Sequence, residues 1–190
     1  HSPAIVEVKG GKTTIIRPSS EAEIDPALVS PAQIVSWPTS DGEKAYGFYY
    51  PPKNPDFLAP EDELPPLVVN VHGGPTSATR PGLKIPLQYW TSRGFAVLDV
   101  NYRGSTGFGR AYRERLNGNW GVMDVQDCAD GARSLVERGL VDPRRVAIRG
   151  GSAGGFTALC ALVRTEAFTA GTSFYGIADI KRLELETHTF

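Results

Sequence analysis

Ser152 is the residue around which this sequence is equipped for chemistry. It stands in Val146 to Leu159, "VAIRGGSAGGFTAL", where an apolar, β-branched run meets Gly-Gly-Ser-Ala-Gly-Gly before helix formers resume. Glycine loses more conformational freedom on folding than any other residue, so a cluster of them would weaken a regular element. Such a stretch needs positive φ or very close backbone approach. Gly150-Gly151-Ser152-Ala153-Gly154 fits G-x-S-x-G, and its place between a strand-like and a helix-like run is the setting of a nucleophile elbow. In an elbow the serine takes a strained backbone conformation that projects its hydroxyl from the top of a sheet. Gly150 and Gly154 lack the Cβ atoms that would strike the neighbouring strand and helix. The helix opening at Ala153 aims free N–H groups at the same spot, where an oxyanion would form. The chemistry indicated is acyl transfer. The bland alternative is a phosphate-binding turn or a tight βα loop, but "RGGSAGGF" lacks a P-loop lysine and the G-x-G-x-x-G spacing.

A second segment, "NVHGGP" at residues 70–75, ends an earlier apolar run. The elbow arrangement places there the loop that carries the second oxyanion donor. Read alone, it is equally a glycine turn stopped by Pro75. A serine nucleophile also needs a base, and the sequence holds three histidines, His1, His72 and His188. The elbow fold supplies its acid and base after the nucleophile, in the order Ser…Asp/Glu…His, so His72 is not expected to be the base. Ser152, Asp179 and His188 have the right order, but only one candidate strand separates Ser152 from Asp179. His188, in "LETHTF", reads as a surface residue. The acid and base are therefore expected beyond residue 190. The start at His1 and the unremarkable ending "ELETHTF" read as a piece of something longer.

The positioning elements follow from the patterning. Residues 1–17 alternate around Gly10-Gly11 and read as a β-hairpin. Residues 18–38 are Pro/Ser/Glu-rich and read as linker. "KAYGFYYPP" reads as a strand. "LVVNVHGG", "GFAVLDVNYRG", "RRVAIRGG" and "FTAGTSFYGI" are runs apolar on both faces, as in parallel strands covered by helices on either side. Between them lie helical patterns at 86–94, 122–139 and 153–165; in the second, apolar residues recur every three to four positions and Gly139 is a natural C-cap. Alternation of strand and helix specifies an α/β, doubly wound sheet.

The composition excludes several partner classes. With 20 basic and 21 acidic residues, a net charge of −1 offers no field for nucleic acid or an anionic membrane. No apolar run reaches the ~18–20 residues of a membrane span. Cys128 and Cys160 both fall in apolar helical patterns and read as free thiols, which fits a reducing, cytoplasmic compartment. No metal or cofactor is expected.

"HGGP", "VLDVNYRGSTGFGR", "NWGVMDVQDCADGARSLVERG", "VDPRRVAIRGGSAGGFTAL" and "SFYGIADI", in that order, resemble the catalytic domain of the prolyl oligopeptidase family of serine peptidases. The flavour is that of its dipeptidyl aminopeptidase/acylaminoacyl-peptidase branch. The resemblance covers residues 44–190 and implies an α/β-hydrolase fold, with a mostly parallel sheet, cut short at its C-terminal end. Residues 1–25 resemble the last strands of the β-propeller that precedes this domain in the family, and residues 26–43 the linker. The resemblance implies Ser152 as nucleophile and the Ala153 amide as one oxyanion donor. Some relatives place at His72 a tyrosine whose hydroxyl is the other donor; with histidine there, the amide of Gly74 is the expected second donor. "NYRGSTGFGR" is expected to be a structural loop beside the site, with Arg103 in an ion pair. The implied activity is hydrolysis of short peptides through an acyl-enzyme. A carboxylesterase of the same fold and a non-catalytic binding module are the rival readings.

Overall fold

The computed structural model describes residues 3–20 and 24–186. Strands β1 (Ala4–Lys9) and β2 (Lys12–Pro18) form the antiparallel hairpin expected from the Gly-Gly turn, and they make a separate two-stranded sheet exposed along its whole length. All other strands belong to one six-stranded sheet. They are β3 (Gln33–Pro38), β4 (Lys44–Tyr50), β5 (Leu67–Val71), β6 (Ala96–Asn101), β7 (Val146–Gly151) and β8 (Ala170–Phe174), in the spatial order β3-β4-β6-β5-β7-β8. β3, β4 and β6 pair antiparallel, whereas β6, β5, β7 and β8 run parallel. The helices are α1 (Ile85–Thr91), α2 (Arg110–Glu114), α3 (Met123–Glu137), α4 (Ala153–Arg164) and α5 (Ile180–Glu186).

The runs apolar on both faces are covered from both sides. Val69, Leu98 and Ile148 pack with Val125, Cys128 and Leu135 of α3 and Ala158 of α4. Val68, Val97 and Tyr50 pack on the other side with Leu87 and Trp90 of α1. All six residues of β6, next to the middle of the sheet, are buried. Both cysteines are free thiols. Among the described residues no helix is long and apolar enough to cross a membrane.

The main departure from the sequence reading is β3. It lies inside the stretch read as linker and pairs with β4, so the sheet begins at Gln33 rather than at residue 44. As an edge strand it buries only Val35 and Trp37, and Pro31 and Pro38 frame it as punctuation, so its period-two signal is too short to stand out. Arg103 makes the expected ion pair. Buried after β6, its guanidinium donates to Asp127 of α3 and to Asp41 of the β3–β4 turn, each at 2.7 Å. That cation joins three elements beneath the loop at 104–109.

Candidate active site

β7 ends at Gly151 and α4 begins at Ala153, so Ser152 is the single joint between strand and helix. Its backbone sits at φ 54°, ψ −121°, a conformation that L residues rarely adopt. The positive φ demanded by the glycine cluster thus falls on the serine itself, while the glycines supply close approach. A Cβ at Gly154 would lie 2.8 Å from the His72 carbonyl oxygen and closer still to that of Val71; one at Gly150 would run into the backbone of Gly154. Parallel pairing of Val71 with Gly150 brings the ends of β5 and β7 together, and α4 packs down on both.

Three backbone bonds hold the strained residue. The Ser152 amide donates to the Phe174 carbonyl at 3.0 Å, and the Ser152 carbonyl accepts from Gly155 and Phe156 at 3.0 and 3.2 Å. The hydroxyl makes no capping bond to its own helix. Ala153 opens α4, where first-turn amides have no intrahelical acceptor and the helix dipole favours negative charge.

The loop after β5 lies against this joint. A Cβ at Gly73 would stand 3.1 Å from the Gly151 carbonyl oxygen and 3.5 Å from the Ser152 Cβ. Gly74 follows with φ 134°, a value suited to glycine, and a cis bond to Pro75. His72 is turned into the protein. Its ring stacks on Tyr102 at 4.3 Å, Nδ1 lies 2.8 Å from the Gly73 carbonyl oxygen and Nε2 2.8 Å from the Ser105 hydroxyl. Burial pushes the ring's pKa below its ordinary value, keeping it neutral. One nitrogen is engaged by the Gly73 carbonyl and the other by Ser105 of the loop after β6, which leaves neither for the Ser152 hydroxyl.

A second polar cluster anchors the rest of that loop. Asp99, buried on β6, accepts from Lys84 at 2.6 Å, from the Thr79 hydroxyl and from Asn70 at 2.7 Å. The Thr79 amide donates to Asn101 at 2.8 Å. On the opposite side of the sheet, the Thr157 hydroxyl of α4 donates to buried Asp124 of α3, which also accepts from the Gly121 amide at 2.6 Å. Both flanks of the joint are therefore tied to buried carboxylates.

The structure brings together Ser152, Ala153, Gly150 and Gly154 with the Gly73-Gly74 loop. It does not bring Asp179 into a triad: that exposed carboxylate accepts from the amides of Lys181 and Arg182 at 2.9 and 3.2 Å, at the start of α5. His1 and His188 lie outside the described residues. Sequence reasoning missed Tyr102 and Ser105, which hold His72, although both fall in "NYRGS" beside Arg103. It also missed Tyr175. That residue has φ 39°, is 85% exposed, and its hydroxyl oxygen lies 2.8 Å from where a Gly151 Cβ would stand. A polar residue after "SF", at the end of an apolar run, was the available signal.

Known proteins share this fold. The chain is similar to a puromycin-hydrolyzing peptidase of Mycobacterium tuberculosis, at 44% identity and a TM-score of 0.96, over 98% of this chain and 29% of that one. An acylaminoacyl peptidase of Pyrococcus horikoshii is similar at 29% identity and a TM-score of 0.71, over 80% of this chain and 24% of that one. Dipeptidyl aminopeptidase BIII of Pseudoxanthomonas mexicana is 40% identical over 119 residues, which is 62% of this chain and 17% of the relative. The chain thus spans well under a third of these relatives. The sequence pattern of the Prolyl oligopeptidase family matches residues 81–190, more than half the chain and including the whole strand–serine–helix joint, so the chain belongs to that family of serine peptidases.

Proposed function

We propose that Ser152 is the nucleophile of a peptidase acting on short peptides through an acyl-enzyme. The observation that carries this reading is the strained Ser152 joint, its hydroxyl free of helix capping, with the Gly73-Gly74 loop packed against it. The Ser152 Oγ attacks the scissile carbonyl carbon and its proton passes to a histidine that lies, with its orienting Asp, beyond residue 190. The oxyanion is held by the amides of Ala153 and Gly74. The intermediate collapses with protonation of the leaving amine, and water then releases the acyl group. Residues 1–190 alone lack the base and are inactive.

Similarity to a puromycin-hydrolyzing peptidase over nearly the whole chain favours an aminopeptidase-like preference and makes puromycin a rational first substrate. The exposed β1–β2 hairpin, outside the main sheet, fits the end of a preceding propeller. Two free cysteines fit a reducing, cytoplasmic setting.

The test uses the full-length protein. A fluorophosphonate probe should label it stoichiometrically, and Ser152→Ala should abolish both labelling and hydrolysis of puromycin and short peptide amides. Undiminished labelling of the Ser152→Ala protein would remove Ser152 from the mechanism.

A further inference from the structure

Asn101-Tyr102-Arg103-Gly104-Ser105 leads out of β6, and two of its side chains reach the loop of Gly73 and Gly74. Tyr102 and Ser105 are both wholly buried. The Ser105 hydroxyl oxygen lies 2.8 Å from Nε2 of His72 and 2.7 Å from the Tyr102 carbonyl oxygen. The Tyr102 ring stacks on that of His72, and its hydroxyl lies 3.2 Å from the His72 carbonyl oxygen and 3.1 Å from that of Pro75. This base is stiff. Arg103, between the two, is fixed by Asp127 and Asp41. On either side of Ser105, the Gly104 amide donates to the Tyr112 carbonyl at 3.0 Å and the Thr106 amide to the Ser77 carbonyl at 2.7 Å.

Peptide geometry carries these contacts to the amides of the loop. A trans peptide is planar, and its C=O and the following N–H point in opposite directions. Among the described residues the one cis bond is Gly74-Pro75, so the bonds 72–73 and 73–74 are trans. The Gly73 carbonyl oxygen is turned to Nδ1 of His72, 2.8 Å away, so the Gly74 N–H points away from that inward-turned ring. Gly74 itself is exposed, and its amide has no acceptor among the described residues. The direction of that N–H therefore depends on where the ring of His72 holds Nδ1. Stacking on Tyr102 fixes the plane of the ring but not its rotation within the plane. The contact that stops this rotation is the one at the far nitrogen, with Ser105.

We propose that Ser105 is a positioning residue for the reaction: it holds Nε2, the locked ring holds the Gly73 carbonyl, and the Gly74 N–H is thereby aimed at the oxyanion. This rests on the reading of Ser152 as nucleophile and Gly74 as second donor. Ser105 touches neither substrate nor reacting atoms, so its effect falls on the transition state, where the oxyanion forms, and not on substrate binding.

The test is made in the full-length protein. Ser105→Ala should lower kcat about 3–10-fold, as the loss of one hydrogen bond does, with KM unchanged. A peptide boronic acid, whose tetrahedral adduct places an oxygen at the oxyanion position, should bind more weakly by about the same factor. His72→Phe keeps a flat ring against Tyr102 but removes both nitrogens; in that background Ser105→Ala should cost nothing further. Three results overturn the proposal alone. One is a Ser105→Ala protein with wild-type kcat and boronate affinity. Another is a KM that rises as kcat falls, together with a lower melting temperature, which marks a merely structural serine. The third is an undiminished loss from Ser105→Ala in the His72→Phe background. If His72→Phe does not accumulate as folded protein, the kcat and KM of Ser105→Ala and its boronate affinity decide. Fluorophosphonate labelling that survives Ser152→Ala overturns the underlying reading, and the proposal with it.

Discussion

Gly154→Ala isolates the contact on which the joint depends. The new Cβ would stand 2.8 Å from the His72 carbonyl oxygen and 2.9 Å from the Val71 carbonyl carbon, with the Val71 oxygen nearer still. All three obstacles are backbone atoms, which cannot swing aside as a side chain tip would. Ordinary contact is restored only if the start of α4 and the end of β5 separate by about 1 Å. That separation moves Ser152 and Ala153 away from the loop of Gly73 and Gly74. Overpacking of this kind costs about 1–3 kcal/mol, or about 3–10 °C in melting temperature for a domain of this size. A misplacement of about 1 Å between reacting groups costs about 10²-fold in rate, so kcat should fall by that order with KM changed far less. The assay is hydrolysis of a short peptide amide by the full-length protein, with Gly82→Ala as control, since a Cβ there meets nothing within 4 Å. A Gly154→Ala enzyme with wild-type kcat and melting temperature would refute both the packing argument and the placement of the oxyanion hole.

In the full-length protein, Gly74→Pro should lower kcat by about 10²–10³-fold by deleting the proposed oxyanion amide and forcing the backbone away from φ 134°, whereas His72→Gln should cost far less; a comparable loss from His72→Gln alone would transfer the proposed donor role to that side chain. Arg103→Met leaves the Asp127 carboxylate buried without its partner and should cost about 3–5 kcal/mol, read as a lower urea midpoint; an unchanged midpoint would show that the pair contributes nothing. Burial lowers the folded-state pKa of His72 below 6.5, so above that pH both states are neutral and the residue has no effect, while below it the unfolded chain takes up a proton that the folded chain refuses. Wild-type stability should therefore fall relative to His72→Gln between pH 7.5 and about 5.5, and parallel urea midpoints across that range would remove the effect.

What was legible in the sequence was what lies close along the chain. The strand, Ser152 and the helix occupy Val146 to Arg164 without interruption, so the demand for glycine at 150 and 154 shows as composition. The loop at 72–75 was legible because Gly-Gly-Pro ends an apolar run. The supports were not. Thr79, Lys84 and Asp99 meet across up to 20 residues, and Ser105 reaches His72 across 33, with no periodicity to announce either contact. Arg103 announced an ion pair, but its partners Asp41 and Asp127 lie 62 and 24 residues away and look like any surface carboxylate in the text. β3 failed for a different reason: two buried residues framed by prolines give too short an alternation to separate a strand from a linker.

The placement of the strain explains which positions the chemistry can spare. A non-glycine residue at positive φ costs on the order of 1–3 kcal/mol and persists only where its surroundings over-determine it. At Ser152 the direct contacts are with backbone: β8 accepts from its amide, α4 donates twice to its carbonyl, and β5 closes on Gly154. The Ser152 hydroxyl makes none of these bonds, so Ser152→Ala should remove the proposed nucleophile while leaving the joint intact. The loop of Gly73 and Gly74 is the reverse case, because side chains hold it, through His72, Tyr102, Ser105 and the Asp99 cluster. On the proposed mechanism its amides reach the oxyanion position only as well as those side chains are packed. Variation among relatives in how the second donor is supplied is therefore expected on this side of the site, and invariance of geometry on the other.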